Sequence, residues 1–475
     1  MKKFHAMLLL MALVFFGLTQ TLSAQNLPYQ HYTEREQNLT DTNNLQHFFR
    51  NGSFYGHARY YTSFTDNGDD LSDYFANAFG MGIGYETGKF KNLQIGISGF
   101  FIYNLYSSNL AKPDPLTGLL SRYELGLFDM ENPNNHKDLD RLEDLYIKYN
   151  YKKSNVKFGK QHIRTPFINP QDGRMRPTLV DGIVINFSEI KNTKFDIGYL
   201  YKISPRSTIK WFDVGGSIGV YASGLNPDGS KSNYAGNLKS NGVFYAGITH
   251  QLKKHNDIQV WNLYVENIFN TSLFQYNGSF NLNNKTKLNL GLQGITQQAI
   301  NDGGNQDQSK TYMLKDNKSY TYGARLEIAK EKTGSFQLNY NRITEHGRYL
   351  MPREWSRDPF FTFMPRERNE GYANVHAVNA VIGKSYGKSG FRSDLSYGRF
   401  YMPNVKNTEM NKYSFPSFWQ FNADIRYKAN GFFKGFDFQL LYVYKGQLGN
   451  NYKNNRYVFN KVDMSLYNFV INYHF

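Results

Sequence analysis

The sequence predicts an all-β fold: a transmembrane antiparallel β-barrel of about eighteen strands, with short periplasmic turns at one end and long extracellular loops at the other. Three observations carry that expectation. Apolar and polar residues alternate with period two in many short segments, short and long connections alternate between those segments, and an in-phase apolar and aromatic series ends on Phe475. Lipid-facing and lumen-facing side chains alternate along every strand of such a barrel, which is what the first of these reflects.

The N-terminus sets the compartment. Lys2 and Lys3 precede an apolar stretch from Ala6 to Leu18 and a small-residue exit at Ser23-Ala24-Gln25, predicting a secretory signal peptide over residues 1–24. Residues 25–52 are expected to form a periplasmic segment and 53–475 the barrel. No later window supplies the roughly 18 consecutive apolar residues that a transmembrane helix needs. The chain has no Cys, which excludes disulfides, thiolate metal sites and a lipid-anchored cysteine.

Composition fits strands that face water on one side. The 475 residues include 37 Tyr and 38 Phe but only 14 Pro, an enrichment that favours strands. A mean hydropathy of -0.59 is compatible with a membrane barrel, because alternate residues line a watery lumen. The formal net charge of +16 raises the local concentration of anions. Its Lys and Arg residues are dispersed and form no nucleic-acid module, so nucleic acid is not an expected partner.

The alternation is clearest in three segments. Leu93, Ile95, Ile97, Gly99 and Phe101 alternate with Gln94, Gly96, Ser98 and one exception, Phe100. Phe336, Leu338 and Tyr340 alternate with Gln337, Asn339 and Asn341, and Trp419, Phe421, Ala423, Ile425 and Tyr427 with Gln420, Asn422, Asp424 and Arg426. A soluble sandwich also alternates. Aromatics near strand ends, such as Tyr103, Tyr442, Tyr444 and Tyr473, favour the two interfacial girdles of a membrane barrel.

Connection lengths give the strand count. Short polar connections recur at 88–92, 152–155, 188–193, 252–257, 283–286, 330–334, 385–390 and 429–435. Longer ones lie at 65–73, 106–140, 164–178, 296–318, 344–373, 402–416 and 447–464, with a briefer one near 267–272. The pattern breaks only at Val214 to Tyr221; assigning that segment to one large loop over 203–240 restores it and leaves an even eighteen strands. Both termini then lie in the periplasm. Phe469, Ile471, Tyr473 and Phe475 share one phase of the last strand, which should close against the first near Phe54 to Phe64. This ending resembles the strand signal read by the bacterial barrel-assembly machinery, the expected partner in insertion alongside outer-membrane lipid.

A barrel of this width must be narrowed by loops before it discriminates solutes. The candidate loop reads Arg164-Thr165-Pro166-Phe167-Ile168-Asn169-Pro170-Gln171-Asp172-Gly173-Arg174-Met175-Arg176-Pro177, with Asp181-Gly182 in the strand that follows. Gly159 and Lys160 at the strand end, the Thr165-Pro166 step, Asp172, Arg174, Pro177 and Gly182 resemble the OprD-type porin family. Arg59 and Ser98-Gly99-Phe100 extend the likeness more weakly. The resemblance implies an eighteen-stranded pore, often packed as trimers, whose inward loops and basic residues guide small anionic or zwitterionic nutrients such as amino acids or short peptides. It makes Arg164, Asp172, Arg174, Arg176 and Asp181 candidates for the constriction.

The stretch 348–370 departs from the family. It holds Arg348, Arg353, Arg357, Arg366 and Arg368 among Glu354, Glu367, Glu370, Trp355, Phe360, Phe361 and Phe363. One reading folds it into the lumen, where Arg353, Arg357, Arg366 and Arg368 join the constriction and their guanidinium forks bind carboxylates. The other is an ordinary extracellular loop with internally paired Arg and Glu.

Catalytic, cofactor and metal signals are poor. Gly-x-Ser-x-Gly occurs around Ser217 and Ser385, but neither context offers the strand-to-helix turn of a nucleophile elbow. His57, His250 and His474 fall on polar phases or near turns, which disfavours a barrel-embedded lipid hydrolase. Gly80, Gly82 and Gly84 share a strand phase and read as close-packing residues, while Asp66, Asp69 and Asp70 read as a solvated loop tip rather than a calcium site. A non-conducting scaffold or secretion accessory is the remaining alternative class.

Overall fold

The computed structural model describes residues 41–171 and 174–475. The predicted signal peptide, the first part of the N-terminal segment and Asp172 lie outside the described residues. Eighteen long strands form the wall. They run β1 Ser53–Asp66, β2 Tyr74–Glu86, β3 Leu93–Ser107, β4 Arg141–Tyr151, β5 Ser154–Gln161 and β6 Leu179–Phe187. Next come β7 Thr193–Ser204, β8 Val243–Lys253, β9 Asn256–Val265, β10 Phe269–Asn283, β11 Thr286–Ala299 and β12 Lys318–Lys330. The last six are β13 Gly334–Ile343, β14 Val375–Ser385, β15 Phe391–Tyr401, β16 Phe418–Lys428, β17 Phe436–Gln447 and β18 Met464–His474.

Each long strand pairs antiparallel with the next, and β18 pairs antiparallel with β1 from His57↔His474 to Asp66↔Ser465. The sheet is therefore closed, which removes the exposed edges an open sheet would present. Backbone hydrogen bonds exchanged between Gly56 and Phe475, at 3.0 and 3.2 Å, extend this seam by one residue. Additional two-residue strands decorate the wall, among them Phe212–Asp213, which pairs with the end of β7 inside the large 205–242 loop. The predicted short connections are all tight turns, and the predicted long ones are loops at the opposite end. At the short-turn end a helix, α1 (Leu45–Arg50), buries Phe48 and accepts the Gly88 N–H on the Phe48 carbonyl at 2.8 Å.

The strand phases follow the sequence. Phe336, Leu338 and Tyr340 are exposed on the outer surface, whereas Gln337, Asn339 and Asn341 are buried in the interior. The exception, Phe100, is buried with the polar phase, and its ring lies flat across Gly80 and Gly82 of the neighbouring strand. A Cβ on Gly82 would come within 2.5 Å of the Phe100 ring and of the Gly99 carbonyl. Gly84 leaves the same room for Tyr55, so the glycine stripe is a bed for aromatic rings.

The interior at the long-loop end is packed. One apolar cluster joins Phe167 and Ile168 of the 162–178 loop, Ile218 and Tyr234 of the 205–242 loop, and Tyr349, Trp355 and Phe360 of the 344–374 loop to inward residues such as Val180 and Leu263. A second cluster seats Leu125, Leu127 and Phe128 of the 108–140 loop, together with Met175, against Tyr61, Ala78 and Phe100.

Candidate functional site: the interior loops and the wall they dock on

Phe100 is the platform on which the predicted narrowing loop rests. The Arg176 guanidinium lies over its ring, 4.0 Å from the centroid, and is buried. Arg176 Nε donates to Glu143 Oε1 at 2.6 Å, and Nη1 lies 3.3 Å from His57 Nδ1. Arg141 donates to the same Glu143 oxygen at 3.1 Å and to the Pro177 carbonyl at 2.7 Å. Two guanidiniums thus share one carboxylate where the loop meets β4.

The other predicted residues of that loop are distributed differently. Arg174 is half-buried with a positive φ of 50°, and its guanidinium carbon stands 5.9 Å from the Tyr123 ring centroid. Arg164 is exposed. Asp181 sits directly across from Lys160 in the β5–β6 register, with Lys160 Nζ at 2.5 Å and the Tyr201 hydroxyl donating at 2.7 Å. It shares the strand phase of the exposed Phe158 and Ile183 but is itself buried, closed in by Lys160 and Tyr201.

The 344–374 loop crosses the interior. Its Leu350 and Pro359 carbonyls accept from Gln297 and Gln293 of β11 at 2.7 and 3.0 Å, and Phe361 stacks with Arg325 of β12. Further on, the Thr362 carbonyl accepts from Asn379 of β14 and the Pro365 carbonyl from Gln420 of β16. Arg366 reaches the far side, donating to Asn468 of β18 at 2.7 Å and to the Tyr61 hydroxyl of β1. Buried polar groups on the inward strand phase thereby find partners in loop carbonyls, as burial requires.

The arginines of this loop are engaged within it or with its neighbours. Arg353 pairs with Glu370 and stacks on Tyr413 at 3.8 Å. Arg357 lies half-buried over Phe363, and Arg368 is buried beside Asp358, whose carboxyl it pulls down against burial. Glu367 receives Arg122 of the 108–140 loop at 3.2 Å and Lys445 of β17 at 2.8 Å. Burial would push that carboxyl up, but Arg122 and Lys445 outweigh it and hold it far below the usual range. This is a second triad of two cations and one carboxylate.

The two loops are also bonded to each other: Thr178 Oγ1 donates to the Glu354 carbonyl and Ser356 Oγ to the Phe167 carbonyl, both at 2.6 Å. Ser217, from one Gly-x-Ser-x-Gly, is fully buried, accepts the Trp355 indole N–H at 2.9 Å and donates to the Val214 carbonyl at 2.7 Å. Sequence reasoning missed Glu143, Arg141, Arg122 and Lys445. The signal available for Glu143 and Lys445 was a charged residue on the lumen phase of a strand, which needs a counter-charge from a loop.

A closed eighteen-stranded barrel with loops folded into it narrows the field, and comparison with known sequences decides the family. A family model described as outer membrane porin, OprD family, matches residues 124–367, just over half of the chain. The chain belongs to the OprD family. As an OprD-family porin it is an outer-membrane channel protein for small solutes and not an enzyme. Its barrel is similar to that of Pseudomonas aeruginosa OpdK crystallised with vanillate, at 14% identity and a TM-score of 0.69, covering 90% of this chain and 99% of that one. It is similar also to Pseudomonas aeruginosa OccD3 (13%, TM-score 0.67, 92% and 94% covered) and to Acinetobacter baumannii OccAB2 (14%, 0.69, 90% and 99%). At such identities the likeness shows the fold. No curated protein matches the sequence.

Proposed function

We propose that this OprD-family porin passes small carboxylate-bearing solutes, amino acids and short peptides among them, through a constriction formed where the 162–178 and 344–374 loops meet the wall. The observation that carries the reading is the gathering of cationic side chains where these two loops dock on the inner wall. Arg141 and Arg176 meet on Glu143, and Arg122 and Lys445 meet on Glu367. Both lie where loops meet the interior wall, and solvent screening is weak in a narrow, protein-lined passage. At an effective dielectric near 20, one unit charge about 4 Å from a carboxylate is worth roughly 4 kcal/mol of gross attraction. Arg174, Arg357 and Arg366, half-buried rather than buried, are the guanidiniums best placed to meet a passing solute.

Purified protein in planar bilayers under a salt gradient tests this. The expected reversal potential is anion-selective, and Arg174→Gln should shift it toward cations while leaving the barrel folded. Cation selectivity in the unaltered protein, or no stepwise conductance at all, would overturn the reading in favour of a different solute class or of a scaffold.

A further inference from the structure

The outer face of the wall carries a basic cluster that the solute path does not use. Among the described residues, Arg342 of β13 and Arg399 of β15 are the only arginines on the outward phase of the eighteen strands, and they flank His376 of β14. The register sets Arg342 opposite His376 and His376 opposite Tyr401, with Arg399 the next outward residue on β15, opposite Val378. By strand geometry the two arginines stand about 10 Å apart across the sheet and about 7 Å apart along it. His376 and Arg399 are exposed, and Arg342 is half-buried. Arg399 Nε donates to the Tyr397 hydroxyl at 3.0 Å, Arg342 Nη1 donates to the Ile343 and Val375 carbonyls at 2.6 and 3.2 Å, and His376 Nδ1 lies 2.9 Å from the Tyr340 hydroxyl. Neither guanidinium is in an ion pair among the described residues, and the outward phase of β12 to β16 holds no Asp or Glu. Lys160, the outward cation of β5, differs, because Asp181 pairs with it at 2.5 Å.

Depth in the membrane says what can meet these cations. Toward the periplasm the outward phase turns aromatic at Tyr340 and Tyr397 and then apolar at Leu338 and Leu395, so the arginines stand at the extracellular aromatic girdle, level with lipid headgroups. An arginine on the lipid-facing phase is costly at mid-bilayer and tolerated at the interface. With no carboxylate in this sector of the wall, the counter-charge within reach is a headgroup anion, and a guanidinium fork fits phosphate oxygens. Beside Arg399 the Tyr397 and Trp419 rings, 5.9 Å apart, add an amphipathic face on which a sugar can lie. We propose that Arg342, His376 and Arg399 form a docking site for the phosphorylated saccharide headgroup of an outer-leaflet glycolipid. The site lies on the opposite side of the wall from the channel, so it stands or falls independently of the solute reading.

Titration of the detergent-solubilised full chain with fluorescently labelled diphosphorylated lipid A provides the test. Saturable binding is expected, weakened tenfold or more when Arg342→Gln and Arg399→Gln are combined. Because Arg342 also holds two strand-end carbonyls, the exposed Arg399→Gln serves as the second variant; alone it should weaken binding several-fold while the heat-modifiable folded band is unchanged. Lys202→Gln, which removes an exposed cation from β7, should bind as the parent does. Undiminished binding in the double variant overturns the proposal, as does an equal loss in Lys202→Gln, which would show general attraction to a basic protein. Dioleoylphosphatidylglycerol bound as tightly as lipid A overturns the saccharide assignment, and displacement of the labelled lipid by millimolar inorganic phosphate would make this a site for free phosphate instead.

Discussion

The Arg176 guanidinium rests on the face of Phe100, 4.0 Å from the ring centroid, and the ring in turn covers two glycines of the next strand. Glycine, aromatic ring, guanidinium and the Glu143 carboxylate form one stack from the wall inward. Gly82→Ala should therefore act at a distance. Its methyl would lie 2.5 Å from both the Phe100 ring and the Gly99 carbonyl, and the second of these cannot rotate away. We expect normal secretion and barrel formation but an altered single-channel conductance and weaker anion selectivity. Conductance identical to the parent would show that Phe100 does not set the position of Arg176.

Arg174→Gln and Arg176→Gln should separate selectivity from loop anchoring. Arg176 is buried against Glu143, and removing one partner of a buried pair costs on the order of 3 kcal/mol, at the low end here because Arg141 remains. Arg176→Gln is expected to raise the rate of proteolytic cleavage within 162–178 several-fold and to make the current noisy. Arg174→Gln should change reversal potential without either effect. Equal protease sensitivity in the two variants would contradict the docking role.

Loop-length asymmetry orients the barrel. Since the chain has no Cys of its own, single cysteines at Asn233, in the long 205–242 loop, and at Lys332, in the tight turn after β12, can be compared cleanly. Both positions are exposed. A membrane-impermeant maleimide on intact cells is expected to label Asn233→Cys and not Lys332→Cys. The reverse result would invert the topology.

Loop docking should be weakest between about pH 6 and 7. Burial pushes the Asp358 carboxyl up to about 6, against the pull of Arg368 and Arg353 and with the push of Glu370. A folded pKa above the free value of 3.8 means the docked loop holds the proton more tightly, so docking is strongest below 3.8 and weakens as pH rises to about 6. Lys412 behaves oppositely. Burial pushes it down to about 7, with Arg348 and Arg353 opposing its charge and Glu370 and Glu354 favouring it, so docking strengthens as pH rises from about 7 toward the free value of 10.5. Limited proteolysis across pH should show the fastest loop cleavage near 6 to 7. Asp358→Asn should flatten the acid limb and Lys412→Met the basic one; a monotonic profile in the parent would refute the scheme.

Deleting Phe475 should lower the yield of heat-modifiable folded protein. The residue adds two backbone hydrogen bonds with Gly56 at the β1–β18 seam, and its ring covers the Gly56 Cα, where a Cβ would be 1.9 Å away. Undiminished folded yield would sever this residue from assembly.

The fold was largely legible because strand phase and turn length are local. Gln337, Asn339 and Asn341 face inward where alternation puts them, and every expected tight turn is present. Phe100 broke the pattern, and the reason is legible only in three dimensions, since Gly80 and Gly82 make room on a different strand. The same limit governs the site. The arginines near 174 and 353 to 368 stood out by composition, but their partners lie far away in sequence: Glu143 for Arg176, and Arg122 and Lys445 for Glu367. Asp181, read as a constriction candidate at the start of the strand after the loop, has Lys160 and Tyr201 as its partners, and both lie on the wall.

Arg366 bonds at once to Asn468 on β18 and Tyr61 on β1, the two strands that close the barrel. Its loop leaves the wall after β13, so an arginine from mid-chain clasps the joint between the first and last strands. That clasp has no purchase on a half-assembled sheet, because its two anchors are brought together only when the ends of the chain meet. The loop can settle only after the circle is complete, which makes its protection from protease a clock hand for closure: intermediates stalled with an open joint should carry a loose, cleavable plug inside an otherwise paired wall.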